Sequence, residues 1–584
     1  MQRFTWIFIT LIGLAAPAAA QQVDVEEFTL DNGMKFLLAP RHEEPNTISC
    51  GWVAKVGSVN ERPGITGISH FFEHMMFKGT TTIGTRDAAA DADFMARQKA
   101  VKDKLNHLVW NVQYGRFFRG EIDDPWDEAN DTDEMRALRA ELKSLMKEHG
   151  ETIVKNEFSQ IYTNAGATRL NAGTSNDWTI FFVTVPANKV ELWAWMESDR
   201  LHDSVFREFY AERDVVHEER RMTLESSPTG ELDEQFDAMF WQSSPYAWSV
   251  VGWPSDISSY TREQFDAYFN IYYRPNNIIG VLVGDFEAEA VKPLLREYFG
   301  RLQRGAQDPP PVVTLEVRQV AEKRLYGECD CPPQIEVRYH TVPFNHRDSF
   351  ALQILAEILN GRTGRLYKSM IEGSEIASSA YAGQDSRKYA GYFAFAGEVK
   401  GDAAPEDLER AWYGELERLQ NEPVPDQELQ KVKNQVAADS YRRLQRNGML
   451  LFQLALYEAS GGWRYINENP VKLMAVTAGD IMRVADTYFD KSNRCVAIYT
   501  RRAGSDTEDN PLASLPPQLR RQFEETLTRL LSYDDPDELR QLVERLEMGA
   551  SQAPADIRPA MEYMLEKLRQ RITELEAGGD QESS

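Results

Sequence analysis

Cysteine is scarce. Four residues in 584, at positions 50, 329, 331 and 495, are too few for a disulfide-built scaffold. Cys329-Asp330-Cys331 also lacks the two-residue gap of C-x-x-C zinc and redox sites, so the cysteines are assigned no chemistry. Basic clusters are missing too. Lys and Arg number 65 against 91 Asp and Glu, a formal charge of −26, and no Lys/Arg-rich run interrupts it. That balance disfavours nucleic-acid binding and describes a self-repelling surface. Beyond the N-terminus no stretch approaches the ~18 uninterrupted apolar residues of a membrane helix, so no stable membrane span is expected in the mature protein.

The N-terminus itself is apolar, but briefly. Arg3 precedes Trp6 to Leu14, and small residues follow to Ala18-Ala19-Ala20. A charged start, a short apolar core and an A-x-A end predict a signal peptide over 1–20, with an uncleaved anchor as the alternative. The mature chain is then expected across the inner membrane, in the periplasm.

The remaining length exceeds what one hydrophobic core holds, so several domains are expected. Strand-like residues flank Asn32-Gly33, a strong hairpin signal, and Ile48 to Val56 reads as a further strand. From about 87 to 157 the sequence is helix-forming and heavily charged around an acidic, turn-rich piece. It reads as a helical hairpin inserted into the first half and solvated on its surface. Thr168 to Thr174 and Trp178 to Val185 read as strands, Lys189 to Leu201 and Arg207 to Leu224 as helices.

An internal repeat sets the architecture. Thr261 to Phe265 leads through Tyr268-Phe269 to Asn276-Asn277 and the apolar run Ile278 to Gly284. Later, Thr477 to Ile481 leads through Tyr488-Phe489 to Asn493 and Val496 to Tyr499. Helix, aromatic pair, Asn and strand occur twice, which predicts two related α+β halves, each a mostly antiparallel sheet covered by helices. The halves are placed at 21–303 and 329–502, joined by a Pro-containing linker over 304–328. An acidic helical tail over 503–584 follows.

Chemistry concentrates in His70-Phe71-Phe72-Glu73-His74. On a helix, positions 70, 73 and 74 share one face, where two imidazoles grip a metal ion and a carboxylate handles the proton of its water. This H-x-x-E-H order is the inverted zinc-peptidase signature. The competing reading is a core helix, rich in Phe and Met, whose histidines are merely hydrogen-bonded. Farther on, Glu212 and Glu219 are two turns apart on one helix face. A carboxylate there would complete a His/His/Glu catalytic zinc shell, or both are solvated helix charges. The second half has no counterpart motif: Ser349 to Leu359 reads as structural.

Together Gly67 to His74 with Lys78-Gly79-Thr80, Leu170-Asn171-Ala172 with Thr174, and Glu212 to Glu219 resemble the pitrilysin-type, inverted-zincin peptidases of family M16, especially smaller members akin to mitochondrial processing peptidase. The resemblance covers roughly Val25 to Arg501, apart from the insertion. It implies two halves enclosing a chamber, one Zn2+ per chain on His70, His74 and Glu219, and Glu73 as general base. It also implies that Glu212 orients a ligating histidine, and that Asn171 and Ala172 belong to an edge strand that binds substrate in extended form. The implied activity is an exported zinc endopeptidase acting on peptides or unfolded protein segments; the alternative is a non-catalytic scaffold or binding subunit.

Two departures stand out. The insertion lengthens the usual separation of His74 and Glu219. In the second half, Ile371 and Ser378 stand where many members carry a substrate-gripping Arg and, seven residues later, Tyr, and Tyr381 is out of register. A heterodimer with an M16-type subunit carrying the Arg/Tyr pair is therefore expected, or a homodimer that anchors substrate otherwise.

Overall fold

The computed structural model describes residues 22–502, 512, 515, 517–533, 535–554 and 557–579, so the expected signal peptide at 1–20 lies outside the described residues. In the first half β1 (Glu26–Thr29), β2 (Lys35–Pro40), β3 (Thr47–Ala54), β4 (Thr168–Thr174), β5 (Thr179–Pro186) and β6 (Ile278–Gly284) form one sheet, ordered β1-β2-β6-β3-β5-β4. β1 and β2 pair antiparallel across the Asn32-Gly33 turn, with Phe28 opposite Phe36. β2 runs parallel to β6, and every other pairing is antiparallel.

The second sheet repeats this plan. β7 (Lys323–Cys329), β8 (Gln334–Thr341), β9 (Ala377–Ser386), β10 (Gly391–Val399) and β11 (Arg494–Arg501) run in the order β7-β11-β8-β10-β9. Again the parallel pair, β7 with β11, flanks an antiparallel set. The apolar runs that ended each sequence repeat are β6 and β11, equivalent strands in the two sheets.

Alternate residues of a strand face opposite sides, and both sides of each sheet are buried. On one side of the first sheet Phe36, Leu38, Cys50, Trp52 and Leu282 meet helices of their own half. On the other, Leu37, Ala39, Val53, Val281 and Val283 meet Leu450, Leu451, Leu454 and Ala455 of the helix Asn447–Ser460, which belongs to the second half. The exchange is reciprocal. Phe236 and Phe240 of the first-half helix Gly230–Phe240 pack with Cys495, Ala497 and Tyr499 on the second sheet. Each half therefore completes the other's core, at about 2 kcal/mol for each large apolar side chain so buried.

One boundary and one surface differ from the sequence reading. β7 begins at Lys323, inside the expected 304–328 linker, because Lys323 to Cys329 finds a parallel partner in β11. Upstream the linker is fastened: the Glu316 carboxylate accepts hydrogen bonds from the backbone N–H groups of Gln242, Ser243 and Ser244. The insertion, read as a solvated excursion, does form a helical hairpin, Ala88–Leu108 against Asp133–Gly150, but its base is buried at Asp91, Gln98, Lys102 and His149. Cys329 and Cys331 are joined by a disulfide.

From Arg502 the chain forms a separate unit with helices Pro517–Leu531, Pro536–Gln552 and Arg558–Gly579 around Leu530, Leu539, Val543, Leu565 and Leu568. Among the described residues no helix is long and apolar enough to cross a membrane.

Candidate metal centre

The motif helix spans Ile68–Met75 and starts where only glycine fits. Gly67 has φ +85°, and a Cβ there would fall 2.2 Å from the carbonyl oxygen of Val251. Buried Glu61 accepts the N–H groups of Gly67 (2.7 Å) and Ser69 (2.8 Å), two of the donors the first turn leaves free. Burial pushes its pKa up to about 7 against those bonds. Ile68, Phe71, Phe72 and Met75 point into the core, with Phe72 stacked 3.5 Å from Phe265. That leaves His70, Glu73 and His74 on the opposite face.

The second helix, Phe209–Arg220, buries Phe209, Tyr210, Arg213 and Val216 and turns Glu212 and Glu219 towards the histidines. His70 Nε2 lies 3.5 Å from Glu219 Oε1, and His74 Nε2 lies 3.2 Å from Glu219 Oε2. One ligand atom from each of these three residues lies within 4.8 Å of the others, and the 3.5 and 3.2 Å separations from Glu219 are close to the ~3.4 Å ligand–ligand edge of a tetrahedral ion with bonds of about 2.0–2.2 Å. Glu212 Oε1 accepts a hydrogen bond from His74 Nδ1 at 2.9 Å, which fixes a proton there and leaves Nε2 as the nitrogen that faces the metal position. Two imidazoles and one carboxylate are a donor set for zinc, so the residues present fit that metal.

Electrostatics separate the two histidines. Burial lowers the pKa of His70 to about 4. Burial opposes charge on His74 as well, but hydrogen bonds to Glu212 and Glu219 outweigh it and raise its pKa to about 9. Burial works against ionised Glu212, yet His74 and Lys78 hold it below the usual range; Lys78 Nζ is 2.5 Å from Glu212 Oε2. Glu73 is displaced upward by burial, against the hydrogen bond that Thr174 Oγ1 donates to its Oε2 at 2.7 Å.

Thr174 ends β4, the edge strand of the first sheet, so that edge is tied directly to Glu73. Asn171 on β4 lines a cavity of about 480 Å³ beside Glu73 and His74. Ala172 lies on the same strand but not among the lining residues. The far wall is Ile153 to Ser159, the return segment of the insertion, and no residue of the second half lines the cavity. The sequence reading gave no role to Thr174, Lys78 or 153–159. The first two lay inside quoted motif runs, whereas the return segment carries no local signal. In the second half, Ile371 is packed partly buried on the core and Ser378 is exposed on β9.

Two parts of the chain match models of the M16 peptidase family. The family model described as insulinase, peptidase family M16, matches residues 37–98, and that described as the peptidase M16 inactive domain matches residues 259–436. Zinc protease PqqE of Helicobacter pylori is 24% identical over 504 residues, covering 85% of this chain and 97% of its own. A crystal structure of a protease from Helicobacter pylori superposes with TM-score 0.67 at 22% identity, over 82% of this chain and 100% of that one. The periplasmic protease PqqL of Escherichia coli gives 0.61 at 16% identity, over 86% of this chain and 50% of that one.

Proposed function

We propose that this chain is an exported, zinc-dependent endopeptidase that hydrolyses peptide bonds in peptides or unfolded protein segments. The observation that carries the reading is the convergence of His70, His74 and Glu219 on one point with Glu73 alongside. Zinc held there supplies Lewis acidity and makes water a nucleophile at neutral pH. Glu73 would accept the proton of the attacking water and give it to the leaving amine, a task suited to a carboxylate whose burial has raised its pKa. Thr174 holds Glu73 Oε2, and Glu212 holds His74 in the ligating tautomer. The open edge of β4, at Asn171 and Ala172, offers backbone groups to a substrate added as a further strand.

The zinc-protease names of relatives support this reading, and the periplasmic description of PqqL supports the location. A cavity walled by the first half alone, with Ile371 and Ser378 where an Arg/Tyr grip belongs, favours a second subunit that supplies the grip, in a heterodimer or a homodimer.

The test is mass-spectrometric mapping of cleavage in a peptide library, with and without a co-expressed second M16-type subunit. The parent should cleave, Glu73→Gln should keep zinc without cleaving, and Glu219→Ala should lose zinc. A Glu73→Gln protein as active as the parent defeats the mechanism, and a zinc-loaded parent inert with every partner points to the scaffold reading.

A further inference from the structure

We propose that Arg207, with Asp91 and His149 of the insertion, positions the metal site: the three set the loop that carries Lys78, and through Lys78 the Glu212 carboxylate that orients His74. The inference rests on the zinc reading above and assigns the insertion a role in it.

Arg207 lies just before the helix that bears Glu212 and is 1% exposed, as are Asp91 and His149. Its guanidinium has no solvent to turn to, and every contact it makes is to one loop or one carboxylate. Nη1 donates to the carbonyl oxygens of Lys78 and of Ile83 (2.9 Å), and Nη2 to that of Thr80 (2.6 Å). Nε and Nη2 meet Asp91 Oδ2 at 3.1 and 3.0 Å. The other oxygen of Asp91 is 2.5 Å from His149 Nε2, and His149 Nδ1 is 3.2 Å from Gln98 Nε2. A planar fork with five fixed donors can hold three carbonyls and a carboxylate at once, which exceeds the three donors of a lysine.

The loop is shaped to this side chain. Gly79 has φ +85°, and a Cβ there would stand 2.9 Å from Arg207 Nη1. The loop thus wraps the guanidinium closely, and Lys78 at its start is left with Nζ 2.5 Å from Glu212 Oε2 and 3.3 Å from Glu208 Oε2. Contact runs unbroken from the base of the insertion to the imidazole of His74. An arginine buried without Asp91 would be an uncompensated charge, so the clamp requires the insertion.

Asp91→Asn, Lys78→Gln and their double variant test this by zinc competition against a chelator and by the d–d absorption of the cobalt(II) form. Each single variant should weaken zinc binding about tenfold, the usual scale for groups behind a metal ligand, and alter the cobalt spectrum. Since both act along one path, the double variant should be no weaker than the worse single one, whereas independent structural losses would add. If Asp91→Asn does not fold, His149→Gln with Lys78→Gln completes the same cycle without leaving Arg207 unpaired. Parent-like affinity and spectra in the single variants, or additive losses in the double, overturn the inference alone. A parent protein that binds no zinc, with Glu219→Ala as its control, overturns the functional reading and this inference with it.

Discussion

His74 Nδ1 donates to Glu212 Oε1 at 2.9 Å, while His74 Nε2 faces Glu219 Oε2 at 3.2 Å. One carboxylate orients the ring and the other shares its metal face, and this division of labour leads to the first prediction. Glu212→Gln preserves the side-chain shape but not the charge, so zinc should bind about 10–100-fold more weakly, measured by chelator competition. An affinity equal to the parent's would show that Glu212 does not hold the ligating tautomer.

Zinc must displace a proton from His74 but not from His70. In the metal-free protein His74 titrates at about 9 and His70 at about 4. Between these values the apparent zinc affinity should rise about tenfold for each pH unit, as expected when one proton leaves per metal bound. A flat profile from pH 6 to 8 would contradict the assignment. The same shift bears on stability. A histidine whose pKa is raised by folding stabilises fully below its unfolded value of 6.5 and loses that contribution as pH rises through about 9. Melting temperatures of the metal-free protein should therefore fall across that window.

Glu73 must be ionised to accept a proton, so activity is lost as pH falls through its pKa. Burial raises that pKa and the Thr174 hydroxyl opposes the rise. Thr174→Val removes the opposing bond, and the acid limb of the kcat/KM profile should move to higher pH while zinc content stays at one per chain. An unmoved acid limb would mean that the Thr174 bond does not control Glu73.

Gly67→Ala should damage both fold and site. The left-handed backbone costs a side chain about 1–3 kcal/mol, and the added Cβ would collide with the Val251 carbonyl 2.2 Å away. Because the motif helix begins at the next residue, the loss should appear as a lower melting temperature together with weaker zinc binding. Unchanged melting would show that the helix start relaxes without cost.

What was legible in the sequence was what local pattern encodes. The helical phase of His70, Glu73 and His74, the two-turn spacing of Glu212 and Glu219, the Asn32-Gly33 turn and the repeated run into β6 and β11 are short-range features. The hydroxyl of Thr174 on Glu73, the Arg207 clamp and the return wall at 153–159 join positions far apart in the chain. No periodicity marks them, because each depends on where the sheets and helices finally meet. The charge pattern of the insertion even points the wrong way, since its buried polar residues, Asp91 and His149 among them, look like any others on a charged helix.

The reciprocal packing of the halves was likewise invisible. Helix Asn447–Ser460 is apolar enough to be internal, yet nothing local says that it covers the first sheet rather than the second. Its burial there makes a thermodynamic prediction. Leu454 is fully buried against β3 and β6, so Leu454→Ala should cost about 2–5 kcal/mol, transfer and cavity terms together. If the halves were independent, that loss would destabilise only one of two transitions. Since each half supplies part of the other's core, 22–501 should instead unfold in one cooperative step that the variant shifts as a whole. Denaturant unfolding followed at tryptophans on both sides decides it, with Trp52 reporting the first core and Trp412 the second. Single-tryptophan proteins whose midpoints move together confirm the shared core, and midpoints that separate would show the exchanged helices to be dispensable contacts.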